Sequence, residues 1–325
     1  NVGVGQDAGN DITTGVQNTL IGGLAGATIT DDNDTTAVGY KALNAATVGG
    51  NTAVGSEALQ NNTSGNSNVA VGIQAGRFVT TADGATFVGK DAGKGISGTK
   101  LTGNDNTAVG KDAGLLLQGA ANSNTLIGAG AGDSITTGSG NTCAGLGGGA
   151  EINTGDNNIA IGNDSHDGGT TGDNNISIGT SSTPSSAGVE NQITLGNSST
   201  ASLRCQIQTI AALSDERDKT DIIDLPYGLD FINQTRPVQY KWDIRDEYIN
   251  PKLGTNPHQG KVRNGFIAQE LFALGDAEQH QLAFNDNPDR LEASYGSLIP
   301  MLTKAIQELS AQVESLTARI TTLEG

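Results

Sequence analysis

The chain has 325 residues, room for two or three domains, but only 35% are hydrophobic and 4% aromatic, and 47 are glycine. That is too little apolar material for an ordinary compact globule, yet Val, Ile and Leu recur at fixed places, so the chain is not simply disordered. A net charge of -17 and a pI near 4.4 exclude a surface that tracks nucleic acid. No run of about 18 apolar residues is present, so no membrane-inserted helix is expected.

The two cysteines, Cys143 and Cys205, are far apart and carry neither a disulfide framework nor a metal signature; no cofactor and no metal are expected. The opening residues, "NVGVG", already lie inside a repeat and lack Met, so the chain is read as a piece of something longer, without a signal peptide.

The repeat runs through Gly5, Gly22, Gly39, Gly55, Gly72, Gly89, Gly110, Gly128, Gly145, Gly162, Gly179 and Gly196, with a period of 17 and one longer step of 21 before Gly110. An aliphatic residue precedes nearly every one of these glycines. Three residues before it the side chain is β-branched, from Val2 and Thr19 to Ile193. Four before it Asn dominates (Asn18, Asn51, Asn68, Asn106, Asn124, Asn141, Asn158, Asn175). Three after it stands a small residue, Ala25 or Ala75 early on and Ser165 or Ser182 later.

Each unit reads as a short strand, a glycine bend, a second short segment and a polar turn. Seventeen residues cannot enclose a core alone, but stacked coils can, so a parallel β-roll or β-solenoid of 17-residue repeats is expected over residues 1–200. The Asn column suits a left-handed corner with side-chain-to-backbone bonds. Val69 and Val71 on one strand face and Ala70 on the other leave both faces apolar or small, which points to a partner chain on the outer face.

The units "NTAVGSEAL", "NVAVGIQAG" and "NTAVGKDAG" resemble the head repeats of trimeric autotransporter adhesins and of phage tail fibres. That resemblance implies left-handed parallel β-rolls with three chains side by side, and says little about a ligand.

Corners such as "TGDNN" (154–158 and 171–175) bring Asp near Gly but lack the Gly-rich nonapeptide of calcium-binding rolls, and read as solvated turns. A glycan-cleaving shaft would need two carboxylates about 5–9.5 Å apart; the acids are scattered over turns and single out no pair. His166 and His258 have no spaced partner and read as surface residues.

Residues 201–213 read as a connecting stem strand, with Leu203, Cys205, Ile207 and Thr209 on its apolar side. From 214 to 325 the texture is that of a small α+β domain. "PVQYKW" (237–242) reads as a strand, and "GFIAQELFAL" (265–274) turns into a helix. Tyr295, Ile299, Leu302, Ile306, Leu309, Val313, Leu316, Ile320 and Leu323 alternate steps of 4 and 3, a heptad seam over 295–325. Such a seam can cover its own domain's core or a partner's helix; strict spacing over four repeats favours the partner. Ile and Val at a with Leu at d lean toward dimers, whereas the repeat array points to a homotrimer and is taken to govern.

The segments "ALSDERDKTDI", "PVQYKW", "GFIAQEL" and "YGSLIPMLTKAIQEL", in this order over about 213–325, resemble the C-terminal intramolecular chaperone of phage tail fibres and endosialidase-type tailspikes, the peptidase S74 family. The resemblance implies a domain that trimerises, registers three chains so that the shaft can fold, and then cuts itself off with a serine and a lysine five residues later. Here these are Ser214 and Lys219.

A serine hydroxyl attacks an amide only if a base takes its proton. No histidine is nearby, so Lys219 is the economical base, and it must first be made neutral by burial or neighbouring cations. Ser214 would attack the carbonyl of Leu213, and water would resolve the ester. The local alternative is a helix cap, since "SDER" also looks like a helix N-terminus with acids in its first turn.

The expected function is that of a phage tail-fibre protein for host attachment, assembled in the host cytoplasm. Its expected partners are two identical chains and a host-surface receptor of glycan type. A bacterial trimeric adhesin, which would need a C-terminal β-barrel anchor, and a glycan-degrading tailspike are the alternatives.

Overall fold

The computed structural model describes residues 1–200, 202–204, 206, 214–241, 260–274, 281–285, 287, 289 and 291–325. The chain divides into two compact units, Asn1–Asn197 and Ser198–Gly325.

The first unit is one parallel sheet of twelve three-residue strands, β1 (Val2–Val4) to β12 (Ile193–Leu195), each bonded to the next in chain order. The pairing is the sequence period made visible: Val2 faces Thr19, Thr36 faces Thr52, and Ile159 faces Ile176. Side chains alternate across a strand. The middle residue therefore points inward, as Leu20, Phe87, Leu126 and Cys143 do in complete burial, while its neighbours stay half-buried or exposed. The longer step before Gly110 closes on itself: Leu101 bridges to Val79 and to Gly119 and is fully buried, so the extra residues leave the roll and rejoin it.

Close stacking explains the glycine column. At Gly128, with φ +134°, an added Cβ would lie 2.2 Å from the carbonyl oxygen of Gly145 in the next coil. No side chain fits there, and the backbone is one that L-residues avoid.

The Asn column forms a buried ladder. Asn141 Oδ1 accepts the N–H of Asn158 at 2.9 Å, and its Nδ2 donates to the carbonyl of Gly155 at 2.8 Å; Asn158 repeats both bonds to Asn175 and Gly172. The expected side-chain-to-backbone bonding is present, but the left-handed residue is the one before the ladder Asn, such as Gln17, Ser67, Ser123 or Asn157. The ladder Asn itself leads into an extended strand, so the corner must be completed one residue earlier.

Core volume is conserved by exchange between positions. Four residues after the repeat glycine, the chain is again left-handed and usually Gly; there Ile29, Val79, Leu117, Ile135 or Ile152 fills the space three residues later. Where Leu43 and Leu59 occupy the left-handed position, with φ of 50° and 48°, the later position shrinks to Ala46 and Asn62. Burial of such a side chain contributes about 1.5–3 kcal/mol, enough to offset about 1–2 kcal/mol for the left-handed backbone.

Of the stem, Cys205, Ile207, Thr209 and Leu213 lie outside the described residues. Residues 202–204 and 206 carry no strand, and Leu203 is exposed.

In the second unit, α1 (Leu229–Ile232) is followed by β13 (Val238–Lys241), which pairs antiparallel with β14 (Val262–Gly265). Then come α2 (Ala268–Phe272), a short pair β15 (Ala283–Phe284) and β16 (Glu292–Ala293), a 3-10 turn at Tyr295–Leu298, and α3 (Ile299–Glu324). Phe231, Leu282, Leu298 and Met301 form its buried core. Glu308 Oε2 accepts the N–H of Leu229 at 2.8 Å and so ties α1 to α3. "PVQYKW" and "GFIAQELFAL" take the expected strand and strand-to-helix forms; Trp242 and His258 lie outside the described residues.

Candidate functional site

Ser214 and Lys219 are brought together. A single 3-10 turn, Glu216–Asp218, doubles the chain back so that Lys219 Nζ lies 2.6 Å from Ser214 Oγ and 3.2 Å from the carbonyl oxygen of Ser214. The cap of this turn is Asp215, whose Oδ1 accepts the N–H of Arg217 at 2.9 Å. The helix-cap reading and the serine–lysine reading of "SDER" are therefore compatible. Asp215 does the capping, and the Ser214 hydroxyl is left for Lys219. Both residues are exposed in the single chain, so burial of the amine is not supplied by one copy alone. Leu213, the acyl side of the expected cut, lies outside the described residues.

Arg217 closes a fork on Asp215, with Nε to Oδ1 at 3.0 Å and Nη2 to Oδ2 at 2.6 Å. The guanidinium, together with the Arg217 N–H, holds the Asp215 carboxyl below its usual range. Sequence reasoning gave Asp215 and Arg217 no role.

The helix α3 carries two separate stripes. Met301, Ala305 and Glu308, with Leu298 just before the helix, face the domain's own core and α1. The heptad seam lies elsewhere on the surface: Ile299 is 63% exposed, Ile306 64%, Val313 54% and Ile320 54%. The domain's own packing thus leaves the seam uncovered. An open apolar groove of about 510 Å³, lined by Ile232, Val238, Phe266 and Leu298, begins at the seam residues Tyr295 and Leu302. On the shaft, the outer ends of the strands form an exposed apolar column that includes Val4, Ile21, Val71, Ile127, Ile161 and Ile178.

The corner acids have structural work. Asp156 Oδ1 accepts the N–H of Ser139, and Asp173 Oδ1 that of Asp156, both at 2.7 Å. Glu151 and Asp167 touch directly; burial and the hydrogen bond to Glu151 push the Asp167 carboxyl up to about 6. Carboxyls in direct hydrogen bond leave no room for a sugar and a water between them.

His166 departs from expectation. It is completely buried, and its Nδ1 shares a 3.0 Å hydrogen bond with Ser177 Oγ, in the middle of β11 (Ile176–Ile178). It occupies the left-handed core position of Leu43 and Leu59, with φ 61°, and position 169 has shrunk to Gly in compensation. Among the described residues Nε2 has no partner, and burial pushes the imidazole down to about 4. The signal was in the repeat: position 166 falls in a core column.

A family model described as the chaperone of endosialidase, Peptidase_S74, matches residues 214–279. No curated protein and no solved structure matches the chain. The family implies a self-cleaving, protease-like chaperone activity, and together with the shaft it fits a tail-fibre- or tailspike-like protein. Residues 214–279 thus match the chaperone-of-endosialidase family, and a parallel β-solenoid of 17-residue coils precedes them.

Proposed function

We propose that this chain is a phage tail-fibre subunit for host attachment, and that its C-terminal unit assembles three copies and then releases itself by cutting Leu213–Ser214. The observation that carries the cleavage reading is the 2.6 Å approach of Lys219 Nζ to Ser214 Oγ at the first residue of the matched segment. Neutral Lys219 takes the hydroxyl proton while Oγ attacks the carbonyl carbon of Leu213. The C–N bond breaks, the amine of Ser214 takes up the proton, and Leu213 is held as an ester on Oγ. Water then hydrolyses the ester to a Leu213 carboxylate and a free Ser214 hydroxyl, in a single turnover.

The exposed seam of α3 and the apolar column of the shaft support assembly with identical chains. Packing of three copies around residues 214–219 would remove water from Lys219, so that cutting waits for assembly. A registering domain answers a specific hazard of this shaft. Thr36 faces Thr52, Thr107 faces Thr125, and Val54 faces Val71, so a slip by one coil exchanges like for like. Joining the chains at one end sets register before the coils pair, and non-local parallel pairing is slow and error-prone without it. Cutting afterwards leaves the shaft kinetically trapped. The shaft would then present its corners to a surface glycan on the virion's host.

The test is expression of the full chain and of Ser214→Ala and Lys219→Ala. The parent should give two fragments that meet at Leu213–Ser214, and each variant one full-length band. Cleavage that persists in Ser214→Ala would sink the serine–lysine reading. Light scattering of Ser214→Ala should give three times the chain mass, and Leu309→Asp with Leu316→Asp should reduce it to a monomer.

A further inference from the structure

We propose that Arg217 is a positioning residue of the self-cleavage: by occupying the carboxylate of Asp215 it keeps that charge off Lys219, which can then act as a base. The inference rests on the cleavage reading above and adds to it the residue that controls it.

Asp215 is bonded through the peptide to Ser214, and Lys219 Nζ already reaches both the hydroxyl and the carbonyl of that serine. Carboxylate and amine therefore flank one residue. A carboxylate free to pair with the amine would hold it as an ammonium, which cannot accept the serine proton. Arg217 removes the competitor through three bonds, from its backbone N–H, Nε and Nη2, which engage both oxygens of Asp215. A guanidinium fork matches a carboxylate better than an ammonium does, so Arg217 wins the competition while it is present. The remaining acids of the segment, Glu216, Asp218 and Asp221, form no ion pair with Lys219 among the described residues. Asp215 is also the cap of the turn that returns Lys219 to Ser214, so one carboxylate sets the geometry and, if released, would block the chemistry.

The experiment starts from uncut full-length chain in urea, refolded by dilution. Single-turnover cleavage is followed on gels from pH 6 to 10 for the parent, Arg217→Gln, Arg217→Lys, Asp215→Asn, Arg217→Gln with Asp215→Asn, and Ser214→Ala. Arg217→Gln should cut about tenfold more slowly at pH 7, with the midpoint of its pH–rate profile about one pH unit more alkaline. The double variant should return the midpoint to that of the parent, because the competing charge is gone, and Arg217→Lys should lie between. A role confined to geometry would lower the rate at every pH without moving the midpoint, and the double variant would be slower still. An unshifted midpoint in Arg217→Gln, or a shift that Asp215→Asn does not reverse, overturns the proposal. If Arg217→Gln does not assemble by light scattering, Arg217→Lys decides, and a midpoint equal to the parent's overturns it. The cleavage reading fails separately, through a Ser214→Ala chain that still cuts.

Discussion

The buried imidazole of His166 should make the last coils of the shaft acid-labile. In the unfolded chain a histidine takes up a proton near its ordinary value of 6.5, whereas burial in the coil delays uptake to about 4. Below 6.5 the unfolded state therefore binds more protons, and stability falls as pH falls until both states are protonated. A difference from 6.5 to about 4 corresponds to at most about 3.4 kcal/mol, of which about 2 kcal/mol is lost by pH 5. The protonated ring would also carry an N–H on Nε2, which lies close to Gly169 and has no acceptor among the described residues.

Asp167 opposes this. Its carboxyl, pushed up to about 6, favours the folded state as pH falls below that value, but it is exposed and its contribution is screened. Comparing variants cancels it. His166→Leu with Ser177→Ala reproduces the arrangement of Ala53, Leu59 and Ala70, all fully buried. The assay is hydrogen exchange over peptides from residues 159–196 in the Ser214→Ala background, corrected for the intrinsic rate at each pH. Between pH 7 and pH 5, opening of these coils in the parent should rise about 20-fold relative to the double variant. Equal pH dependence in the two chains would refute the assignment of the acid lability to His166.

Asn141→Ala should be among the most damaging single changes in the shaft. It orphans the buried N–H of Asn158 and the carbonyl of Gly155, at about 1–3 kcal/mol for each group, measurable in urea melts followed by circular dichroism. Gly128→Ala forces a Cβ into the carbonyl of Gly145 and should lower the soluble yield of folded shaft far below that of Gly98→Ala, where a Cβ meets nothing within 4 Å and the backbone is not left-handed. Glu308→Gln should keep most of the link to the N–H of Leu229, whereas Glu308→Ala should destabilise the C-terminal unit by about 0.5–2 kcal/mol through loss of the bond that holds α1, read from the fluorescence of Trp242 in a urea titration.

Much of the shaft was legible in the sequence because a stacked coil repeats each environment. The glycine, the Asn and the β-branched residue each meet the same residue type in the next coil, so their spacing alone yields sheet direction and register. His166 was misread for the complementary reason. A lone histidine among polar residues looks like surface until it is aligned on its coil, where it takes the place of Leu59 and is accommodated by Gly169. The left-handed corner was displaced by one residue because composition marks the Asn, while the backbone puts the bend before it.

The order of motifs from Ser214 to the heptads, and the five-residue step to Lys219, could be read without coordinates, since both are properties of the chain. What the tertiary structure decided is which groups meet. It placed Lys219 Nζ against Ser214 Oγ, turned Arg217 onto Asp215, and separated the core-facing stripe of α3 from its exposed heptad seam. These depend on how a turn closes and on which face of a helix its neighbours bury, and spacing along a chain does not contain that information.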